Sequence, residues 1–458
     1  MGRSRILLPT LVAIVLAACQ VVPPDVVRQL DPGRTDYKVL EAAYHVLLER
    51  HVDRPGSEQL LKGALDGAQS YLQKPVKDKG AGCGSETIDV PKLTGSTESD
   101  LAKASDALDK AAAGCAGADK VQLERAATDG MAKSMDECHT YYLDPDRAKA
   151  FNQPPQPYSG IGATILAASE KGGLAEISAV FPNSPAERAG VRPGDRIKRV
   201  NGTDVTGFAP DEIAQRIRGP EGTQVDLVLV RATEEVSFTI TRATLTPPRV
   251  VEHDWENGQI AQLSISQLNG DVAKQTQDLV RKQIAAGARA FIVDLRNDPG
   301  GDLSVAVDIA SIFLRDATLV SQVGRDGKTE AVRTDDAFYV AFSGPVVVLV
   351  NERSASGAEI IAAGLRSNGV ASVVGSRTAG CVGIAQPRQM PDDGLLLVTL
   401  ARMQDARTGE ELNGAGRGVA PDQAVKNDPN TPEEEDLVAA ISAARDALAT
   451  RPSSNAAP

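Results

Sequence analysis

Between Tyr37 and His51 the apolar positions Val39, Leu40, Ala43, Tyr44, Leu47 and Leu48 recur at helical spacing, and the run Glu58 to Leu72 repeats the pattern. Both stretches are predicted to be amphipathic helices. From Lys74 to about Lys120 the chain turns to Gly, Ala, Lys and Asp, with one further helical stretch over Leu101 to Ala113. The last third reads differently. Apolar runs at Ile260–Ile265, Ala290–Leu295, Pro345–Val350, Ala371–Val374 and Leu395–Ala401 alternate with helical patterns over Asp271–Ala286, Val305–Leu314 and Ala358–Arg366. Buried strands separated by helices predict a layered α/β domain. An alanine-rich helix and a polar tail, 451–458, close the chain.

Proline marks the joints. Pro154-Pro155-Gln156-Pro157 is a stiff linker, and Pro247-Pro248 opens the α/β part. The predicted divisions are a leader at 1–19, a helical domain with its insert at 20–153, a middle domain at 158–246, an α/β domain at 249–450 and the tail. With 458 residues, 42% apolar and 24% charged, the chain can build several ordinary globular cores. Aromatics make up 3%, so those cores must be aliphatic. A net charge of −12 without a basic stripe excludes nucleic acid as a partner.

The leader changes the picture of where the protein works. Arg3 and Arg5 precede an apolar run, Ile6 to Leu16, that is too short to span a bilayer. It ends in Leu16-Ala17-Ala18-Cys19, which resembles the lipobox of bacterial lipoproteins. That resemblance implies lipidation of Cys19 and an extracytoplasmic protein held at a bacterial membrane. An exported chain meets an oxidising environment, and four further cysteines remain: Cys83, Cys115, Cys138 and Cys381. Four cysteines allow three pairings. Cys83 and Cys115 flank the polar insert, which favours pairing them and leaves Cys138 for Cys381; the chain-entropy gain for the first is roughly 3–4 kcal/mol. The spacings form no metal signature, and no metal or cofactor is expected.

In the middle domain, Tyr158-Ser159-Gly160-Ile161-Gly162 precedes Ser184-Pro185-Ala186 and Ala189-Gly190-Val191-Arg192-Pro193-Gly194-Asp195. This pattern resembles a PDZ domain. The resemblance implies that backbone N–H groups at Gly160, Ile161 and Gly162 receive a peptide carboxylate while an adjacent strand edge takes the peptide by β-augmentation. Polypeptide tails are the implied partners.

The chemistry-bearing segment is Val346-Val347-Val348-Leu349-Val350-Asn351-Glu352-Arg353-Ser354-Ala355-Ser356-Gly357-Ala358-Glu359, read as strand, sharp turn and helix. A serine at a helix N-terminus sits where unpaired N–H groups and the macrodipole favour the negative charge of acyl transfer. The same spacing also suits a plain helix cap, with Glu359 as the capping-box partner of Ser356. Together with Asp294-Leu295-Arg296-Asn297-Asp298-Pro299-Gly300-Gly301, the segment resembles the carboxyl-terminal processing (tail-specific) serine peptidases of S41 type. The resemblance implies a crotonase/ClpP-like α/β peptidase domain with an inserted PDZ domain and an N-terminal helical domain. It places the nucleophile at Ser356, the oxyanion-hole N–H groups at Gly301 and Gly357, and a general-base lysine at the position that Cys381 occupies. Gln386 follows one residue later than the family's lysine-steadying glutamine. No lysine lies between Lys328 and Lys426 to compensate.

A short thiol that holds its proton is no base, and a disulfide-bonded one has no proton chemistry. Glu359, one turn beyond the serine, could orient a water or hydroxyl. Of the histidines His45, His51, His139 and His253, only His139 adjoins a cysteine, and a Cys138–Cys381 bond would carry it towards Ser356. Two functions follow. One is a serine endopeptidase with an unconventional base; the other is a pseudopeptidase, a lipid-anchored scaffold that binds tails without cutting them. A thiol peptidase using Cys381 is the remaining reading.

Overall fold

A computed structural model describes residues 35–450 apart from 77–78, 85, 152–157, 167–172, 182, 193, 209, 246–247 and 428–433. Cys19, the linker prolines and the polar tail lie outside the described residues. The N-terminal part contains helices α1 (Lys38–Arg50), α2 (Ser57–Gln73), α3 (Thr97–Gly114) and α4 (Lys120–Lys133), then strand β1 (Tyr141–Leu143) and helix α5 (Pro145–Phe151). Leu40, Leu47, Leu60, Leu65 and Met131 are fully buried among these helices. Gly67 and Gly130 let α2 and α4 approach closely, since a Cβ on Gly130 would sit 2.4 Å from the Gly63 carbonyl. The segment expected as a polar insert is more than that. Its Ala81, Ile88, Leu101 and Leu108 are buried in this same core, and the Cys83–Cys115 disulfide closes it.

The middle part is built of β2 (Tyr158–Gly160), β3 (Ala163–Leu166), β4 (Glu176–Val180), α6 (Pro185–Ala189), β5 (Arg196–Val200), β6 (Thr203–Asp204), α7 (Pro210–Ile217), β7 (Gln224–Arg231), β8 (Glu234–Thr241) and β9 (Ala243–Leu245). Tyr158 pairs with Leu245, so the two ends of this unit meet. Its sheet runs β3-β4-β5-β7-β8, which leaves β3 at an edge.

The last part contains β10 (Val250–Trp255), β11 (Ile260–Ile265), α8 (Val272–Ala286), β12 (Ala290–Asp294), α9 (Leu303–Phe313), β13 (Thr318–Gly324), β14 (Thr329–Arg333), β15 (Val346–Val350), α10 (Gly357–Ser367), β16 (Ala371–Gly375), β17 (Gly383–Gln389), β18 (Leu395–Asp405), β19 (Gln423–Ala424) and α11 (Glu435–Thr450). Strands β10-β11-β12-β15-β16-β19 form one sheet, parallel from β11 onward. Every residue of β12 and β15 is buried, which is why both read as unbroken apolar runs rather than alternating ones. On one face Ala440, Ile441 and Ala444 of α11 cover Ile292, Val347 and Leu349. On the other, Val293 and Val348 pack with α9 and α10 and, beyond them, Leu319, Val320 and Met403 of a second sheet.

That second sheet is antiparallel, ordered β1-β18-β13-β14 with β17 also on β18. The hairpin β13–β14 was not among the sequence expectations. The decisive pairing is Tyr141↔Leu397 with Leu143↔Leu395. It grafts a strand of the N-terminal part onto the α/β part and fixes where residues 137–139, just upstream, must sit.

Candidate functional site

Strand β15 ends at Val350, and the chain turns through Asn351 to Ala355 before α10 begins. Ser354 holds this turn: its hydroxyl donates to the Leu295 carbonyl at 2.7 Å and accepts the Asn351 N–H at 2.9 Å. Ser356 then caps α10 with φ 54° and ψ −116°. A non-glycine residue with positive φ is strained by roughly 1–3 kcal/mol and persists only when its surroundings over-determine it. Here they do. The Ser356 N–H meets the Cys381 carbonyl at 2.8 Å and Glu359 Oε2 at 3.0 Å.

Glu359 is the brace of the whole turn. Its Oε1 accepts from the Thr378 hydroxyl (2.5 Å) and the Gly380 N–H (2.8 Å), and its Oε2 accepts from the N–H groups of Ser356 and Cys381 (2.9 Å). The side chain is fully buried. Burial pushes its carboxyl above the ordinary value, and these donors oppose the push. With both oxygens engaged, the Glu359 carboxylate positions backbone and completes the capping box with Ser356 expected from the sequence. Gln386 is away from the serine. It lies exposed on β17, opposite Val398, and accepts from Arg388 at 3.2 Å. Exposed there, it makes no hydrogen bond to Ser356 or Cys381 among the described residues, so the steadying role carried over from the resemblance has no contact behind it.

The glycine turn lies against the serine. A Cβ on Gly300 (φ 89°) would come within 2.7 Å of Ser356 Cβ and of the Gly357 nitrogen, so only glycine fits. Leu268 clamps the turn by donating to the Gly300 carbonyl (3.0 Å) and accepting from Asp302 (2.7 Å). A Cβ at Gly357 would stand 3.7 Å from the Gly301 nitrogen. The Gly301 nitrogen therefore lies close to Gly357, and neither N–H has a backbone acceptor among the described residues. Beneath them Asp298 is buried. Its Oδ1 accepts the Gly300 N–H at 2.8 Å while Oδ2 has no partner, and burial raises its carboxyl to about 7.

Cys381 is bonded to Cys138 across a separation of 243 residues. The bond carries the neighbouring His139 over the serine, with Nε2 3.4 Å from Ser356 Oγ. That is longer than a settled hydrogen bond but within what an unliganded centre shows before substrate tightens it. Burial lowers the His139 pKa and Glu137 partly offsets it, so the imidazole is neutral at pH 7. Its Nδ1 faces Cys138 Sγ at 3.3 Å and Glu137 Oε2 at 4.0 Å. A proton on Nδ1 turns towards that carboxylate and leaves the Nε2 lone pair for the serine.

Glu137 is itself fixed. Its Oε2 accepts the His139 N–H at 2.8 Å and its Oε1 the Thr399 hydroxyl at 2.7 Å. His51, fully buried, accepts the Asp53 N–H on Nδ1 and presents Nε2 to Glu137 Oε1 at 3.6 Å. Burial would push the Glu137 carboxyl up, but His51, Thr140, the His139 N–H and Thr399 outweigh it and hold it at about 2. A charged acid, a neutral imidazole and a hydroxyl thus stand in line. Sequence reasoning missed Glu137 and Thr399, and it gave His51 no part in the site. The available signal was the run Glu137-Cys138-His139, which places an acid and an imidazole on either side of a cysteine.

A cleft of about 380 Å³ opens beside the disulfide, lined by Glu137, Cys138, Cys381 and Asn413 among others but not by His139 or Ser356. A larger, shallower hollow of about 560 Å³ at Tyr141, Leu143, Arg147 and Phe151 holds none of the residues in that line. In the middle domain the Ile161 carbonyl accepts the Ala186 N–H, and Gly162 (φ 82°) would place a Cβ 2.4 Å from Ser184 Cβ. The Gly160-Ile161-Gly162 turn is thereby held against α6 at the start of the edge strand β3.

Residues 259–425 match the model of peptidase family S41, and residues 176–231 match a PDZ domain. A probable CtpA-like serine protease of Staphylococcus aureus is 33% identical over 321 residues, 70% of this chain and 62% of that protein. One of Staphylococcus haemolyticus is 32% identical over 66% of this chain and 60% of that protein. The chain therefore spans somewhat under two thirds of the length of these relatives. Among solved structures, a putative S41 protease from Bacteroides fragilis shares the fold, with a TM-score of 0.50 and 18% identity over 70% of this chain and 88% of that one.

Proposed function

Because the chain belongs to peptidase family S41 and carries a PDZ domain ahead of its peptidase core, we propose that it is a serine endopeptidase of the carboxyl-terminal processing type whose general base is His139. The observation that carries this reading is the 3.4 Å approach of His139 Nε2 to Ser356 Oγ.

On this reading Ser356 Oγ attacks the scissile carbonyl as its proton passes to His139 Nε2. The Gly301 and Gly357 N–H groups receive the oxyanion. The anionic Glu137 stabilises the imidazolium, which returns the proton to the leaving amine, and a water repeats the sequence on the acyl-enzyme. Cys381 takes no part as an acid or base, because its sulfur is bonded to Cys138.

The layered core is assigned to the crotonase/ClpP-like fold on its helix-covered sheet. The PDZ domain captures the C-terminal tails of exported proteins along the β3 edge, with α7 flanking and the Gly160-Ile161-Gly162 turn at the carboxylate. Cys19 anchors the protein by lipid at the outer side of a bacterial membrane.

Cleavage of an unstructured substrate with an apolar C-terminus tests the reading. Wild type should cut, and Ser356→Ala and His139→Gln should each lose ~10³-fold or more in kcat/KM. Cutting that survives His139→Gln would remove His139 as the base. A wild-type protein that binds the tail without cutting would leave the scaffold function, which the bonded Cys381 at the lysine position favours.

A further inference from the structure

The same three side chains that set the base also match a second chemistry. His139 Nδ1 lies 3.3 Å from Cys138 Sγ and 3.7 Å from Cys381 Sγ, and the donor atoms of all three residues fall within 4.8 Å of one another. Zinc–sulfur bonds of about 2.3 Å and zinc–nitrogen bonds of about 2.0 Å at a tetrahedral angle separate a thiolate from an imidazole nitrogen by roughly 3.5 Å. The two observed separations bracket that value. Two soft sulfurs and one imidazole are a zinc donor set, and three protein ligands leave a fourth position for water. Cys138 and Cys381 line the 380 Å³ cleft, and Gly383 lies beside Nδ1, where a Cβ would stand 3.4 Å from it. Sequence spacing could not show the set, because Cys381 stands 243 residues from Cys138.

We propose that Cys138, His139 and Cys381 form a redox-gated zinc site, closed while the disulfide is intact and opened by a dithiol. The dithiol gives two electrons and two protons to the bonded sulfurs and becomes its own cyclic disulfide, leaving two thiols. Zinc then displaces both thiol protons and takes the lone pair of His139 Nδ1. With the metal on Nδ1, Nε2 carries the ring proton and cannot accept one from Ser356, so the zinc-loaded form is silent. That kinetic consequence rests on His139 being the base, whereas the metal site rests on the donor geometry alone.

The test compares the native oxidised protein with the same protein reduced by dithiothreitol and desalted without oxygen. Zinc is titrated against a chromophoric chelator, and cobalt(II) reports thiolate ligation through its charge-transfer absorbance. The reduced form should bind one zinc per chain ~100-fold or more tightly than the oxidised form. His139→Gln, which keeps the disulfide and hence the fold, should weaken that binding ~10-fold or more. Cys138→Ser and Cys381→Ser should abolish the thiolate band. Equal affinity in both redox forms, or a band that persists in both serine variants and so belongs to Cys83 and Cys115, would overturn the proposal. Peptidase activity is read separately. An inactive wild type would count against the proposed function while the zinc titration still judged the site.

Discussion

The two disulfides of this protein do different work. Cys83–Cys115 spans 32 residues and closes a loop inside the N-terminal helical core, where Cys115 is buried among Leu101, Leu108 and their neighbours. Cys138–Cys381 spans 243 residues and joins that N-terminal part to the turn beside Ser356. The first can stabilise only its own layer. The second sets the position of His139 over the serine, together with the β1–β18 pairing and the Thr399–Glu137 hydrogen bond. Cys381, beside Ser356, is held by a covalent tether, and His139, proposed above as the base, adjoins the far end of that tether.

Removing the base tests this contrast most severely. His139→Gln should cost ~10³-fold or more in kcat/KM with both disulfides and the unfolding transition intact. Next, Cys138→Ser should cost ~10²-fold, because the imidazole keeps its β1 anchor but loses its clamp, while Cys83→Ser should leave kcat/KM within about 3-fold of wild type. The stability readout should not separate them so cleanly. Opening the short loop should cost about 2–4 kcal/mol in denaturant unfolding, with a comparable or larger loss for the long one. A Cys83→Ser variant as impaired in catalysis as Cys138→Ser would break the comparison.

Glu137→Gln should lower kcat by about 10–100-fold and leave KM unchanged, because the imidazolium it stabilises forms only along the reaction path. Steady-state kinetics with a circular-dichroism check of the fold would show it. The smallest effect concerns Asp298. Its folded pKa of about 7 lies above its unfolded value, so the stability it contributes is full below about pH 4 and is lost as pH rises through about 7. Asp298→Asn keeps an acceptor for the Gly300 N–H and removes that loss. The variant should match wild type near pH 4 and exceed it by ~1–3 kcal/mol at pH 8 in urea unfolding.

The sequence carried the local parts of this site well. Ser356 and the Gly300–Gly301 turn are legible because strand, turn and helix each leave a short-range pattern, and both amphipathic N-terminal helices fall where their apolar spacing puts them. The even cysteine set made the two pairings readable and, through them, the direction in which His139 would move. What stayed hidden depends on long-range register. Tyr141 meets Leu397, and Thr399 reaches Glu137, only after two parts of the chain have docked. Gln386 depends on register too: it lies exposed on β17, past the register shift between Ile384 and Ala385, which a linear count from the motif cannot reveal. Glu359 kept its position beside Ser356, yet its four donors come from a turn whose shape no spacing rule encodes.

The central claim is the proposal that the neutral, partly buried imidazole of His139 is the general base. The pH profile of kcat/KM for acylation of an unstructured tail tests it most directly. Burial lowers the His139 pKa, so activity should rise with pH through a single ionisation below the ordinary histidine value of about 6.5 and then stay flat through neutrality. A profile that climbs only above pH 7, or one with the same low-pH limb in His139→Gln, would contradict the account.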